Sequence, residues 1–138
     1  MTQSIKDLNN LLITEKETIK DALIKINNNN HKCLIVVNKK NQLKGTITDG
    51  NIRRGLLKGF TLSDFVSNIS NKKKIIFLRE GKYSLDESKK KLIENYQFTY
   101  IGIVPVVNNK NIIVDLVTKN NLKNANKKNP VVIMAGGK

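Results

Sequence analysis

The stretch Gly45-Thr46-Ile47-Thr48-Asp49-Gly50-Asn51-Ile52-Arg53-Arg54-Gly55 gathers the residue types in this chain that are suited to handling an anion. A β-branched run ends at Thr48 and a helical pattern begins about Asn51. A hydroxyl, several free backbone N–H groups and the positive end of a helix dipole therefore meet at one point, where anions bind readily. Gly45 permits close backbone approach, Thr48 can donate to a phosphate oxygen, and Asn51 stands where a side chain can reach ribose hydroxyls. Asp49 lies between them, and Arg53 or Arg54 can screen phosphate charge. The same residues support a plainer reading, in which Thr48, Asp49 and Asn51 simply cap the helix.

The elements that must position this turn occur twice. Leu34 to Ile52 (LIVVNKKNQLKGTITDGNI) lies without a gap against Val104 to Leu122 (VPVVNNKNIIVDLVTKNNL), an offset of 70 positions (118 − 48 for the threonines). Val36, Val37, Asn38, Asn41, Thr48 and Asn51 recur as Val106, Val107, Asn108, Asn111, Thr118 and Asn121. Upstream the repeat is one of kind. Thr18 can cap a helix through Ile19, Ala22, Leu23 and Ile26, and Ser84 another through Leu85, Ser88, Leu92 and Ile93.

Each unit thus reads as strand, helix, two strands joined by a polar turn, and a second helix. In the first unit these are Leu11 to Ile13, Thr18 to Asn28, Cys33 to Asn38, Leu43 to Thr48 and Asn51 to Lys58. In the second they are Ile75 to Leu78, Ser84 to Asn95, Ile103 to Asn108, Ile112 to Thr118 and a shorter helix from about Asn120. The strand pairs are apolar nearly throughout, as suits strands covered by helices. Neither unit alone buries its apolar face easily, so the expected class is α+β, two β-α-β-β-α units packed sheet to sheet about a pseudo-twofold axis. Residues 1–66 form the first unit with a lead-in through Ile5, Leu8 and Leu12, and residues 67–122 the second. Thr61 to Ser70 links the two, and residues 123–138 form a linker and a further strand.

At 138 residues, with 39% hydrophobic content, one compact domain or two small units sharing a core is expected. No apolar run is long enough to cross a bilayer and the start has no secretion-signal pattern, so a cytoplasmic protein without a membrane partner is expected. One cysteine and one histidine exclude an internal disulfide and make a structural or catalytic metal improbable. A formal charge of +14 invites nucleic acid, but only Arg53, Arg54 and Arg79 offer planar two-pronged contacts, and aromatics are 5% of the chain. A solvated lysine surface and no nucleic-acid partner is the better reading. Cys33 reads as a small core residue and His31 as a solvated loop residue. Pro105 marks an edge or irregular strand. Tyr96, Phe98 and Tyr100 fall in a loop about four residues longer than its counterpart, to pack the core, cover a ligand or meet a partner.

Two tandem units that each close on a strand–Thr–x–x–Asx–helix turn resemble a cystathionine-β-synthase (CBS) domain pair, or Bateman module, whose sequences read G-h-h-T/S-x-x-D at this place. Gly45 and Thr48 match; Asn51 stands where the aspartate is usual. The resemblance covers Leu11 to Leu122 and implies that the threonine meets the phosphate of an adenine nucleotide while the last residue holds its ribose. These roles fall on Thr48 and Asn51 in the first unit and on Thr118 and Asn121 in the second, where Asp115 replaces the glycine. An amide offers one acceptor and a donor in place of a carboxylate, and Asp115 adds negative charge, so the first turn is the better anion site. The ligands implied are AMP, ADP, ATP or S-adenosylmethionine, in a crevice shared by the units.

The TDGNIRRGLL stretch is further similar to CBS pairs attached to sugar-phosphate enzymes. After Lys123 to Pro130, VVIMAGGK resembles the first strand and glycine turn of a sugar-phosphate nucleotidyltransferase of the mannose-1-phosphate guanylyltransferase-like kind. The expectation is a non-catalytic regulatory fragment that ends just inside an attached catalytic domain, with homodimerisation through the CBS helices. A C-terminal strand that only completes the fold is the alternative at VVIMAGGK. For the whole, the alternative is a ligand-free dimerisation scaffold.

Overall fold

The computed structural model describes residues 10–29, 31–99 and 101–119. They belong to two compact units that divide between Ile75 and Ile76. The N-terminal unit runs β1 (Leu12–Thr14), α1 (Ile19–Asn28), β2 (Cys33–Val37), β3 (Leu43–Thr48), α2 (Asp49–Leu57) and a short 3-10 helix (Val66–Asn68). Its sheet has the order β1-β2-β3, with β1 parallel and β3 antiparallel to β2. Parallel neighbours need a crossover, and α1 supplies it.

The local chemistry of α1 explains both its ends. The Thr18 side chain accepts from the Asp21 N–H at 3.2 Å and the Asp21 carboxylate accepts from the Thr18 N–H at 3.1 Å, which closes a capping box. At the other end Asn29 Oδ1 accepts from the backbone of His31 and Lys32, drawing the chain out of the helix. Between these ends Ile19, Ala22 and Ile26 recur at helical spacing and are buried with Ile13, Leu34, Val36, Ile47 and Ile52. Burying each isoleucine contributes about 2 kcal/mol.

The C-terminal unit runs β4 (Leu78–Arg79), α3 (Leu85–Thr99), β5 (Ile103–Val107) and β6 (Ile113–Thr118), and its sheet repeats the order and senses of the first. The repeat holds to the level of register. Cys33 pairs with Thr48 and Ile103 with Thr118, and both hairpins carry an irregularity, at Val36/Val37 and Val106/Val107. Asn38 Oδ1 accepts from the Lys40 and Gln42 N–H groups, and Asn108 Oδ1 from those of Lys110 and Ile112. Asn41 and Asn111 both sit in the left-handed region, at φ 61° and 65°, which asparagine tolerates. The described residues therefore form a mixed α+β fold of two three-stranded sheets and three α-helices.

Three local expectations are corrected. Across the first strands the offset falls from the 70 of the hairpins to 65, as Glu80 N donates to Val107 O where Glu15 N donates to Val37 O (80 − 15 against 107 − 37). The five extra residues are helix, since α3 has 15 residues and α1 has 10. Tyr96 and Phe98 accordingly lie in α3, not in a loop, and Tyr100 falls outside the described residues. The asparagines that stop α1 have no equivalent in α3, where Asn95 instead donates to the Ile103 carbonyl at 2.8 Å in the interior.

Pro105 is in the central strand rather than at an edge, opposite Leu116. Its first-unit equivalent Ile35 pairs with Thr46 and with Leu12 of β1. Proline has no N–H to give on that side, and β4 is correspondingly reduced to two residues that pair only with Val106 and Val107.

The third difference is the segment after residue 66, which packs with the N-terminal unit as far as Ile75. Asn71 bridges to Thr46 there. Leu12 lies in β1 rather than in a lead-in helix; Ile5, Leu8, the helix expected from Asn120, the 123–130 linker and VVIMAGGK lie outside the described residues. Among the described residues no helix is long and apolar enough to cross a membrane, and no cluster of His, Cys, Asp and Glu can hold a metal.

Candidate functional site

The turn between β3 and α2 is built by Thr48, whose extended backbone (φ −120°, ψ 168°) makes it the N-cap of α2. Asn51 N donates to Thr48 Oγ1 at 3.1 Å, while Asn51 Oδ1 accepts from Thr48 N at 2.9 Å and from Thr48 Oγ1 at 3.0 Å. This reciprocal capping box occupies both side chains that were read as ligand contacts. The N–H groups of Asp49 and Gly50, at the first two helical positions, are those a box of this kind leaves for water or an anion.

The charges divide unevenly around that opening. Arg53 pairs with Asp49 at 3.4 Å on the exposed surface, an arrangement that contributes little to stability. Arg54 Nη1 would lie 3.2 Å from a Cβ placed on Gly50, so its guanidinium rests beside the first turn. The structure thus brings Thr48, Asp49, Asn51, Arg53 and Arg54 together at the start of one helix.

Gly45 has a different employment from the one expected. A Cβ there would stand 2.6 Å from the Asn71 carbonyl oxygen. Thr46 N donates to that oxygen at 3.0 Å and Asn71 N donates back to Thr46 O at 2.8 Å, so the approach Gly45 permits is taken by the chain itself.

Two features of this strand were missed in the sequence. Ser70 and Asn71 form a strap along the free edge of β3, for which a polar, glycine-free segment gives no signal. Thr46 is only 4% exposed and its hydroxyl has no hydrogen-bond partner among the described residues, a property shared by the Ser70 hydroxyl. A threonine two residues before Thr48, in an otherwise apolar strand, was the available clue.

The second turn is closed differently. Thr118 is buried, at 2% exposure, whereas Thr48 is half-buried. Asp115, in place of Gly45, turns its carboxylate back to accept from Leu116 N at 2.8 Å, so the N–H that Thr46 gives to a strap is answered within the strand. Burial, and after it the Asp115 and Glu80 carboxylates, raise the Tyr83 phenol above its ordinary range. Asn121 lies outside the described residues.

The fold and the turn together define a class, that of small α+β modules whose third strand ends on a capped helix start. Residues 5–58 match the sequence pattern of the CBS domain, a regulatory rather than catalytic module, and a CBS domain is therefore present in this chain. Two uncharacterised proteins, from the J99 and 26695 strains of Helicobacter pylori, are each 38% identical over 73 residues, half of this chain but only 22% of theirs. Among solved structures, a CBS domain protein from Streptococcus pneumoniae superposes with a TM-score of 0.71 at 15% identity, over 89% of this chain and 77% of its own. CbpB in complex with c-di-AMP superposes with a TM-score of 0.70 at 17% identity, over 84% and 75%.

Proposed function

We propose that this chain is a regulatory CBS pair that binds an adenine nucleotide at the β3–α2 turn of its N-terminal unit. The carrying observation is that the stretch matching the CBS domain contains a turn where a half-buried Thr48, the first-turn N–H groups and the Arg54 guanidinium converge. A solved neighbour of the same fold holds a nucleotide, which supports the choice of ligand class. Occupancy would favour one conformation of the module and so bias whatever it is attached to. The attached part is a sugar-1-phosphate nucleotidyltransferase: VVIMAGGK resembles the opening of one, and the matched relatives are several times longer than the stretch they share with this chain.

The second unit is a second CBS repeat, supported by its identical hairpin register. Titration with AMP, ADP, ATP and S-adenosylmethionine, followed by melting temperature, tests the reading. Ligand at 100 times its dissociation constant should stabilise the protein by about 2.7 kcal/mol.

A ligand-free dimerisation scaffold is the rival, and two observations favour it. Thr48 and Asn51 already satisfy one another, and Ile24, Leu56 and Leu57 expose apolar surface on α1 and α2, Leu57 at 82%. A dimer in sedimentation that Leu57→Glu disperses, together with no melting shift for any of the four ligands, would establish it.

A further inference from the structure

We infer that the hairpin-turn end of the N-terminal unit is an interaction surface for an acidic polypeptide, met by Lys39, Lys40, Lys44, Lys73 and Lys74. The inference does not depend on the nucleotide reading.

Three separate stretches bring these lysines together. Lys39 and Lys40 lie in the turn that Asn38 closes between β2 and β3, and both are exposed. Lys44 is the extra residue of the β3 irregularity, because Leu43 pairs with Val37 and Gly45 with Val36, and it too is exposed. The strap supplies the other two. Thr46 and Asn71 pair in the antiparallel sense, so the chain after Asn71 runs back along β3 towards Lys44 and the turn. Two residues of chain span at most about 7 Å, so the backbones of Lys44 and Lys73 each lie within that distance of the Thr46–Asn71 bridge.

Among the described residues no carboxylate neutralises this group. The sequence has no aspartate or glutamate between Asp21 and Asp49 or between Asp64 and Glu80. Glu15 touches this end of the unit through its backbone bonds to Val37 and Ser67, yet neither it nor any of the five lysines makes an ion pair among the described residues. Lys72 differs, since its ammonium donates to the Ser67 carbonyl. Like charges gathered within about a Debye length repel one another and weaken the compact state. Blunting a sheet edge accounts for Lys44 at most, and Asn71 already covers that edge at Thr46. The repeat shows that the fold does not need the charge. At the places of Lys39, Lys40 and Lys44 the C-terminal unit has Asn109, Lys110 and Val114, and Val114 packs against its core.

The chemistry of the surface selects its partner. Residues 38–44 and 70–74 contain no arginine for two-pronged contacts to phosphates or base edges and no aromatic ring for stacking, the groups that nucleic acids use. Their one apolar residue, Leu43, is half-buried, so no side chain is offered to a bilayer. Lysine ammonium groups are point charges on flexible stems, and the closely spaced carboxylates of an Asp- and Glu-rich segment complement them one by one.

Fluorescence anisotropy of labelled poly-L-glutamate, and separately of a short duplex DNA, titrated with the whole chain at about 0.15 M salt tests this. The triple variant Lys40→Gln, Lys44→Gln, Lys73→Gln takes one lysine from each stretch. It should bind polyglutamate about tenfold more weakly than wild type and melt no lower. Lys89→Gln, Lys90→Gln, Lys91→Gln removes the same charge from α3 and should bind within about twofold of wild type. Equal weakening by the two triples would overturn the inference, because net charge alone would then explain the binding. A first triple that loses more affinity for the DNA than for polyglutamate would overturn it in favour of a nucleic acid. Wild type that does not bind polyglutamate at this salt would overturn it outright.

Discussion

The ends of β3 and β6 follow one sequence pattern and differ in the side chains they carry. In the N-terminal unit the residues at the four successive places are Gly45, Thr46, Ile47 and Thr48; in the C-terminal unit they are Asp115, Leu116, Val117 and Thr118. The strands pair identically, so the backbone does not distinguish them. Side chains do. Gly45 admits a strap to the edge of β3 and leaves Thr48 half-buried, whereas Asp115 answers its own strand's N–H and Thr118 is buried. Repetition of a fold is set by hydrogen-bond register, while repetition of a site needs the few side chains around one helix end. The second can be lost without disturbing the first.

The sharpest way to break this contrast is to exchange its smallest residue. Gly45→Asp should destabilise the protein by about 2–3 kcal/mol in urea unfolding, because the new Cβ meets a backbone oxygen that cannot rotate away. Asp115→Gly should cost about 1 kcal/mol, since the Leu116 N–H loses its acceptor. Equal effects would mean that the strap is not seated as described. Next in size, Thr48→Ala removes the N-cap of α2 and should lower stability by about 1 kcal/mol, with nucleotide binding falling alongside.

Asn51→Asp places a carboxylate at the third position of α2, beside the positive helix end. It should stabilise the protein by about 0.5 kcal/mol and tighten nucleotide binding. Weaker binding in that variant would argue that Asn51 does not face a ribose. The smallest effect concerns His31, whose counterpart in the repeat is the buried Ile101 (31 + 70). Burial lowers the His31 pKa below 6.5, so the unfolded chain takes the proton more readily than the folded one. Stability should therefore be complete above pH 6.5 and decline as pH falls below it. His31→Gln should flatten that slope in melting curves recorded between pH 7.5 and 5.

Much of the architecture could be read in the chain before any coordinates. The offset of 70 placed both hairpins, their Asn turns and the paired threonines, because continuous β-branched apolar runs separated by turn residues admit few other foldings. Thr18, Thr48 and Ser84 announced helix starts, and each hydroxyl accepts from the N–H three residues on. The end of α3 was not legible: Asn95 looked like a terminator, and only its bond to the Ile103 carbonyl shows why it is not one. Gly45 looked like space for a ligand, because a glycine reports that something comes close without saying what.

The sequence by itself determined the repeat, the order of elements and which helix start carries a threonine, an amide and two arginines, since these depend on residues near one another along the chain. Tertiary structure decided that Thr48 and Asn51 close on each other, that Asn71 occupies the room beside Gly45, and that the Thr46 hydroxyl is buried without a partner. Each of these turns on which atoms lie within about 3 Å of one another after distant segments meet, and periodicity along a strand or helix carries no record of that distance.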